Sequence, residues 1–290
     1  MENTQCIICD SKNYRSYLKV DDRFDEGNTF NLDQCICGFI FLNPRPSEKD
    51  ISKYYDAVVY DPHKSNSLTL FDRIYNFIKI LAFNRKYKLI KNLYKTEGKH
   101  LDVGGGKGDF CSFMKKNNWD TMNQDTSSDA LNFSKANGVQ SVCNLKDIES
   151  ESIDLVTAWH SIEHIHSINT VLDHIKRILK FEKYFVLCVP NSNAIEQKFY
   201  KSNWVAWDAP RHLYHFNPDL IKAYLKKFNF EVIYYESLPQ DTVYNIILST
   251  NKKNILEYIK SFFVVIISLM LNMVFGYKKS SSFIAVCRKS

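Results

Sequence analysis

The chain lacks any long run of basic residues, although 38 basic and 32 acidic residues give it a formal net charge of +6. No run of Lys and Arg is longer than a pair. Proteins that bind nucleic acid usually concentrate their positive charge in a patch or stripe, so the sequence argues against such a partner. Dispersed positive charge is typical of a solvated surface, and it also favours an anionic small molecule or glycan as substrate.

The N-terminus lacks the basic and apolar segments of a signal peptide, so we expect a cytoplasmic protein. In that compartment the eight cysteines predict reduced thiols or metal ligands and exclude a disulfide framework. No internal repeat or low-complexity tract is present. With 290 residues, 45% of them hydrophobic, the chain can form one large domain with a full core and a small appendage.

Glycine is scarce, with nine residues in all, yet four glycines fall within LDVGGGKGDF, residues 101–110. They are Gly104, Gly105, Gly106 and Gly108. The apolar run before them predicts a buried strand, and residues 109–116 predict a helix. Glycine can adopt positive φ and lets a ligand approach the backbone, while the helix directs free N–H groups at the same space. The segment therefore predicts a cofactor-binding loop.

Four interpretations of this loop compete. A phosphate-binding P-loop requires Ser or Thr after the lysine, but Gly108 follows Lys107. A dinucleotide-binding loop has the spacing G-x-G-x-x-G. The different glycine spacing here weakens the dinucleotide interpretation without excluding it. S-adenosylmethionine (SAM) fits better, because Asp125 lies about 20 residues further on, where an acid can bind ribose hydroxyls. A glycine-rich turn without a ligand is the fourth interpretation.

Alternating strands and helices continue to the end of the chain, which predicts an α/β fold with a mostly parallel, doubly wound sheet. Ligands of such sheets bind at the carboxyl ends of the strands. A long helical stretch, residues 68–94, precedes the glycine loop and is expected to pack on the sheet. The remaining strands are predicted at 153–159, 184–189, 230–235 and 283–287, and the helices at 168–180 and 220–228.

The sequence resembles the class I SAM-dependent methyltransferases, and among them a branch common in bacterial capsule, O-antigen and deoxysugar gene clusters. The matching segments are residues 34–60, LDVGGGKGDF, AWHSIEHI (158–165), VPN (189–191) and APRHLYHFNP (209–218). The resemblance implies a seven-stranded Rossmann-like methyltransferase fold with SAM as cofactor. The cofactor-binding residues would be Asp102, Gly104, Gly105, Gly106, Gly108 and Asp125, with Tyr60 covering the sulfonium.

Four cysteines near the N-terminus predict a structural zinc site. Cys6-x2-Cys9 and Cys35-x-Cys37 are two close pairs separated by a loop, as a tetrahedral zinc knuckle requires. The resembling branch usually has Cys-x2-Cys twice, so the second pair here is one residue short. The alternative is a knuckle of reduced cysteines without metal. We place this zinc-knuckle-like segment at residues 1–60 and the methyltransferase domain at 61–290.

Three histidines are candidate catalytic residues. His212 lies in PRHLYHF, where the resembling sugar C-methyltransferases have a catalytic histidine, and imidazole suits proton removal from a hydroxyl. His160 directly follows the predicted strand 153–159, and His164 lies four residues later. A histidine that only supports the lid, predicted at residues 191–216, is the alternative for His212. Aromatic residues of that segment are expected to stack on a sugar, to pack together within the lid, or to do both; they are Trp204, Trp207, Tyr214 and Phe216.

A stretch of 17 residues without charge, 261–277, lies within a predicted apolar helix at about 255–277. A membrane span needs about 20 residues, and a single span would separate the strand at 281–287 from its sheet. Ser261, Ser268 and Asn272 fall on one stripe of the helix. We expect this helix to be buried against the domain or to form a homodimer interface. The alternative is that it contacts a membrane surface, which would make the protein peripheral to the inner membrane.

The sequence therefore predicts a SAM-dependent methyltransferase whose acceptor is a sugar hydroxyl of a nucleotide-sugar or a surface polysaccharide precursor. One alternative is an RNA methyltransferase with an N-terminal zinc knuckle, against which the dispersed charge argues. The other is a non-catalytic SAM-binding scaffold, against which the intact glycine loop and Asp125 argue.

Overall fold

Two β-sheets organise the protein in the computed structural model, which describes residues 1–25, 27–55, 70–250 and 255–290. Side chains of the first long helix are described from residue 79 onward. The elements are, in chain order, β1 (Tyr14–Asp21), β2 (Thr29–Cys35), β3 (Ile40–Leu42), α1 (Leu70–Leu93), β4 (Lys99–Val103), α2 (Asp109–Lys116), β5 (Asp120–Gln124), α3 (Ser128–Ala136), β6 (Gln140–Val142), β7 (Ile153–Trp159), α4 (Ile168–Ile178), β8 (Leu179–Pro190), α5 (Gln197–Tyr200), β9 (Tyr214–His215), α6 (Pro218–Lys226), β10 (Phe230–Ser237), α7 (Pro239–Ser249), α8 (Ile255–Phe275) and β11 (Ser282–Lys289).

The larger sheet has seven strands in the order β10-β11-β8-β7-β4-β5-β6. Strands β4 to β8 pair in parallel, and β11 is antiparallel to both of its neighbours. The predicted mostly parallel, doubly wound sheet is therefore confirmed. The chain leaves β4 first toward β5 on one side and later toward β7 on the other, so a crevice opens at the carboxyl ends of these strands, where ligands of such sheets bind.

Several helix ends differ from the sequence predictions by one or two residues. Helix α6 begins at Pro218, two residues earlier than predicted, because the Asn217 side chain accepts a hydrogen bond from the Leu220 N–H. Helix α4 ends at Ile178 rather than at residue 180. Leu179 already adopts extended backbone and starts β8, which is twice as long as the predicted strand.

The smaller sheet joins the N-terminal segment to the lid. Its strand order is β1-β2-β3-β9, and β9 is the end of the segment predicted as a lid at 191–216. The pairing aligns Ile40 with His215 and Phe41 with Tyr214. The lid is thus an insertion after β8 whose last part, β9, forms a strand of the N-terminal sheet. The predicted domain boundary between residues 60 and 61 lies outside the described residues.

A buried arginine fastens this arrangement. The Arg211 guanidinium is fully buried and donates hydrogen bonds to the Asp22 carboxylate at 2.8 Å and the Asp208 carboxylate at 3.0 Å. It also donates to the Tyr54 carbonyl at 3.1 Å. These partners lie after β1, in the lid and before α1. One side chain therefore ties three separate parts of the chain together.

The lid aromatics pack inside the protein instead of forming an exposed stacking wall. Trp204 and Trp207 are 2% and 0% exposed, and Tyr214 and Phe216 are also buried. The Trp207 ring meets the rings of Trp204 and His215 edge-on at 4.9 Å. Of the two roles predicted for these aromatics, packing is correct. Stacking on a sugar is wrong for this structure, because none of the four rings is more than 4% exposed.

Helix α8 packs with its polar stripe inward. Ser261, Ser268 and Asn272 are buried together with Val264, so the predicted stripe is confirmed. Most other side chains of the helix point outward, and only 22% of its most apolar 18-residue window is buried. The helix from Ile255 to Lys278 is long and apolar enough to cross a membrane. The prediction that its apolar surface is buried against the domain is wrong, because the residues that face the domain are mainly polar.

Candidate active site at the strand ends

The glycine loop connects β4 to α2, and its shape requires glycine. A Cβ atom added at Gly105 would lie 2.2 Å from the Asn123 Oδ1 atom, and one added at Gly104 would lie 2.5 Å from the Ser161 Cβ atom. Gly106 has φ +54° and nothing within 4 Å of its Cβ position. The loop is therefore crowded against the protein at its start and faces open space at Gly106, where a ligand can approach the backbone.

The two acids predicted to bind the cofactor lie on opposite sides of this loop. Asp125 follows β5, and its carboxylate accepts hydrogen bonds from the N–H groups of Gly106 and Ser127, both at 2.9 Å. Asp102 is 2% exposed and accepts a hydrogen bond from the Thr157 hydroxyl at 2.5 Å. Burial raises the pKa of Asp102 to about 7, and the hydrogen bond from Thr157 opposes that rise. Asp125 is thus bonded to the loop at Gly106, beside the open space, whereas Asp102 is buried against Thr157.

A fully buried carboxylate, Glu163, lies among three histidines. It belongs to the 3-10 turn Ile162–His164, which follows β7, and neither carboxylate oxygen has a hydrogen-bond partner. The His160 Nδ1 atom lies 3.5 Å from Glu163 Oε1. Ring nitrogens of His164 and His212 and a carboxylate oxygen of Glu163 all lie within 4.8 Å of one another. Burial opposes ionisation of Glu163, but His160, His164 and His212 together hold its pKa below the usual value.

Backbone carbonyls define which nitrogen of two of these histidines carries the proton. The His212 Nδ1 atom lies 2.8 Å from the Ala206 carbonyl oxygen, and the His164 Nδ1 atom lies 3.0 Å from the Arg211 carbonyl oxygen. Because a carbonyl only accepts, Nδ1 is the donor, and Nε2 of each neutral ring is left as the acceptor. Burial is the main cause that lowers the pKa of His164, to about 4, so this ring is neutral at pH 7.

His160 has the opposite electrostatic character. Its Nε2 atom lies 3.2 Å from the Asp241 carboxylate and 3.2 Å from the Cys188 sulfur, and 38% of its side chain is exposed. Partial removal from water would lower the pKa of His160, but its contacts with Cys188, Asp241 and Glu163 raise that pKa well above its ordinary value. A ring that is already protonated cannot accept a proton. His160 is thus a cation at the crevice, whereas His212 presents an acceptor nitrogen.

The structure brings most of the predicted site residues to this end of the sheet. The glycine loop and Asp125 lie together after β4 and β5, and the three histidines meet after β7 and in the lid. The Leu213 N–H donates to the Glu163 carbonyl oxygen at 2.8 Å, which holds the lid beside the turn. Tyr60, predicted to cover the cofactor, lies outside the described residues.

Sequence reasoning missed the importance of Glu163 and Asp241. Glu163 lies in a 3-10 turn that precedes α4, and its carboxylate lies among the histidines. Its place between two histidines in HSIEH was the signal that could have identified it. Asp241 comes from the first turn of α7, more than 80 residues beyond His160, and no local pattern links the two.

The four N-terminal cysteines converge as predicted. The Cys6 and Cys37 sulfurs lie 3.5 Å apart, the Cys9 and Cys35 sulfurs lie 3.4 Å apart, and all four lie within 4.8 Å of one another without a disulfide. Zinc–sulfur bonds of about 2.3 Å in a tetrahedron separate the sulfurs by roughly 3.8 Å. The residues therefore fit a zinc ion. The short second pair is accommodated because a turn at Gly38, with φ +89°, follows Cys37.

Comparison with known proteins matches residues 55–235 to a family model described as "Methyltransferase domain". A search of curated proteins finds no match. Among solved structures, the chain is similar to a SAM-dependent methyltransferase from Archaeoglobus fulgidus, with 18% identity, a TM-score of 0.51, and coverage of 72% of this chain and 93% of that one.

Two further structures show the same similarity. A SAM-dependent methyltransferase from Thermotoga maritima has 16% identity and a TM-score of 0.51, covering 76% of this chain and 98% of that one. A geranyl diphosphate methyltransferase in complex with SAM has 14% identity and a TM-score of 0.54, covering 79% and 93%. At these identities the solved structures establish the fold alone. The assignment to the methyltransferase-domain family rests on the match to the family model.

The open space at Gly106 predicts a selective effect of Gly106→Ala on SAM binding. The added methyl group would occupy the ligand side of the loop, so we expect the Kd for SAM to rise about tenfold or more, measured by calorimetry. Gly276→Ala is the matched control, because Gly276 has φ +55° and an equally open Cβ position. Both variants should lose a similar, small amount of thermal stability. Equal SAM affinity in the two would show that Gly106 does not face the cofactor.

Proposed function

The chain belongs to the methyltransferase-domain family and is a SAM-dependent methyltransferase, and on this premise we propose that it methylates a sugar hydroxyl of a nucleotide-sugar or a surface polysaccharide precursor. The observation that carries the proposal is the position of His212, with a ring nitrogen within 4.8 Å of the buried Glu163 carboxylate, beside the crevice. A hydroxyl acceptor requires a base, and this pair can supply one.

The cofactor would lie across the glycine loop. The open space at Gly106 would admit the side of the cofactor that faces the loop backbone. Asp125, at the edge of that space, would bind the ribose hydroxyls of the cofactor. Gly104 and Gly105 allow the close packing that shapes the loop, and Asp102 holds the loop from beneath. When bound, SAM supplies a methyl group on a positively charged sulfonium, which makes that group electrophilic. The protein then mainly has to align the acceptor.

His212 would accept the proton of the acceptor hydroxyl. The hydrogen bond from its Nδ1 atom to the Ala206 carbonyl fixes the ring and leaves the Nε2 lone pair to take the proton. The resulting positive charge would be balanced by Glu163, whose carboxylate is kept ionised among the histidines. His164 is neutral and packs edge-on against His212 with ring centres 4.6 Å apart, so it would restrict the orientation of the ring.

The polarity of the crevice supports a polyhydroxylated acceptor. His160, Glu163 and Asp241 meet at the end of β7, and charged groups of this kind suit the hydroxyls of a sugar better than an apolar chain. The resemblance to the capsule and O-antigen branch supports the same class. RNA, the alternative acceptor, is disfavoured by the dispersed lysines.

We also propose that the four N-terminal cysteines hold a structural zinc ion. Four thiolates would complete a tetrahedron and leave no open position for chemistry. Cys6 and Cys9 precede β1, whereas Cys35 and Cys37 lie at the end of β2 and in the turn after it. The ion would therefore fasten the N-terminus to the sheet that carries lid strand β9.

Acceptor class can be tested by measuring S-adenosylhomocysteine release by the purified protein. We expect turnover with a member of a nucleotide-sugar panel and none with unmodified ribosomal RNA assayed in parallel. Turnover with RNA alone would overturn the proposed acceptor and leave the fold and cofactor unaffected.

His212→Ala should lower kcat in that assay by about 10² to 10⁴, because the proton acceptor is removed. The affinity for SAM should remain unchanged, since the ring lies on the acceptor side of the crevice. His174→Ala on α4 is the control, because it removes a histidine outside the cluster and should retain activity. Unchanged turnover in a folded His212→Ala protein would remove this residue from the mechanism.

Cys9→Ser should abolish stoichiometric zinc, as measured by elemental analysis, and should lower the melting temperature. Cys143→Ser is the matched control, because Cys143 is also exposed but lies far along the chain from the cluster. A wild-type protein that contains no zinc and melts at the same temperature with and without chelator would contradict the proposal.

A further inference from the structure

Helix α8 is amphipathic in the reverse of the usual sense, because its polar residues hold it to the protein. The Ser261 hydroxyl hydrogen-bonds with the Tyr200 and Thr250 hydroxyls at 2.7 and 2.6 Å. Less than one turn before its end, the Asn272 amide donates to the Thr242 hydroxyl at 3.0 Å. These bonds fix the rotation of the helix about its axis and direct the remaining residues outward.

The outward surface of α8 is almost entirely apolar. Large side chains are highly exposed along its length, with Ile255 at 72%, Phe262 at 63%, Met270 at 57% and Met273 at 80%. At 100° per residue, the exposed apolar positions span about half of the helix circumference. Exposed Tyr244 and Ile247 on α7 extend this surface. A contiguous apolar surface of this size indicates a binding partner.

Charge at the borders of this surface points to an anionic partner. From residue 255 to residue 281 the chain has one acid, Glu257, against three lysines, Lys260, Lys278 and Lys279. Glu257 forms an ion pair with Lys260 at 3.2 Å. Lys278 is exposed just beyond the C-terminus of the helix. Apolar residues bordered by lysines are characteristic of helices that lie in the interface of a membrane with anionic lipids.

The helix cannot cross the bilayer while this fold is intact. Its N-terminal half is bonded to Tyr200 and Thr250, and its C-terminal half is bonded to Thr242. Directly after it, β11 enters the sheet between β8 and β10. Both ends of the helix are therefore attached to the same globular body, and only its outer half is available to lipid.

A second copy of the chain would cover this surface less completely. Two packed helices lie 8–10 Å apart and bury a single stripe of each other, which would leave the flanks of a half-circumference surface in water. A bilayer interface closes around the whole exposed arc. We propose that α8 docks the protein on an anionic lipid bilayer, lying in the plane of the interface with its apolar side among the lipids.

The docking surface is structurally connected to the crevice. Helix α7 carries Asp241, which contacts His160, and the next residue, Thr242, accepts the hydrogen bond from Asn272 of α8. A protein docked through α8 would hold the acceptor end of its site close to the membrane. Together with the proposed function, on which this step rests, docking implies that the acceptor is a sugar of a lipid-linked glycan precursor.

Vesicle co-sedimentation of the full chain tests the docking. Vesicles of equal parts phosphatidylglycerol and phosphatidylcholine should bind the protein, and pure phosphatidylcholine should bind it more weakly. Phe262→Ser combined with Met273→Ser should weaken binding about tenfold or more, because two exposed apolar side chains are lost. Phe181→Ser is the matched control: Phe181 is also 63% exposed but lies near the amino end of β8, outside the α8 surface, and should leave binding unchanged.

Lys278→Gln combined with Lys279→Gln should weaken binding to the anionic vesicles about tenfold and reduce its salt dependence. The proposal would be overturned if the protein bound neither the anionic vesicles nor those of pure phosphatidylcholine. So would a stable dimer in light scattering that Phe262→Ser with Met273→Ser converts to monomer, because a second copy would then cover the surface. S-adenosylhomocysteine release with a soluble acceptor should persist in all these variants, so failure of docking is distinguishable from failure of the proposed reaction.

Discussion

The buried ion cluster of Arg211 with Asp22 and Asp208 is the interaction on which the arrangement of the site depends. A guanidinium without access to water is tolerated only when carboxylates compensate its charge, and removal of one partner of such a cluster typically costs 3–5 kcal/mol. Its partners come from the N-terminal sheet and the lid. The cluster therefore fixes the lid on that sheet, and the next residue, His212, is held beside Glu163.

The histidine cluster shows how one buried carboxylate can give neighbouring rings different roles. Glu163 is isolated from water, so its charge acts strongly on the rings around it. His160 has a second carboxylate, Asp241, on its other side and is held in its charged form. At His164 burial outweighs the attraction of the Glu163 and Asp208 carboxylates, and the ring stays neutral. His212 donates its one proton to a carbonyl and presents an acceptor nitrogen, which suits it to proton removal.

The acceptor end of the crevice and the outer apolar surface share one structural element, α7. Its first turn supplies Asp241 to the site and Thr242 to the bond with α8, while Tyr244 and Ile247 face outward. The chemistry and the docking surface are thus held in a fixed relation by a single helix of 11 residues. Docking through α8 as proposed would therefore bring this end of the crevice close to a membrane surface.

The sequence by itself determined the features that depend on local chain geometry. The glycine loop, Asp125 after β5, the Asn217 helix start and the polar stripe of α8 follow from backbone requirements and from residue periodicity, which neighbouring residues encode. Only the tertiary structure decided the long-range pairings: β9 with β3, Glu163 with His212, and Asp241 with His160. It also decided that the lid tryptophans are buried and that the apolar side of α8 is not. Periodicity shows that a helix has two different faces, but which face is covered depends on the elements that pack against it, and those come from distant parts of the chain.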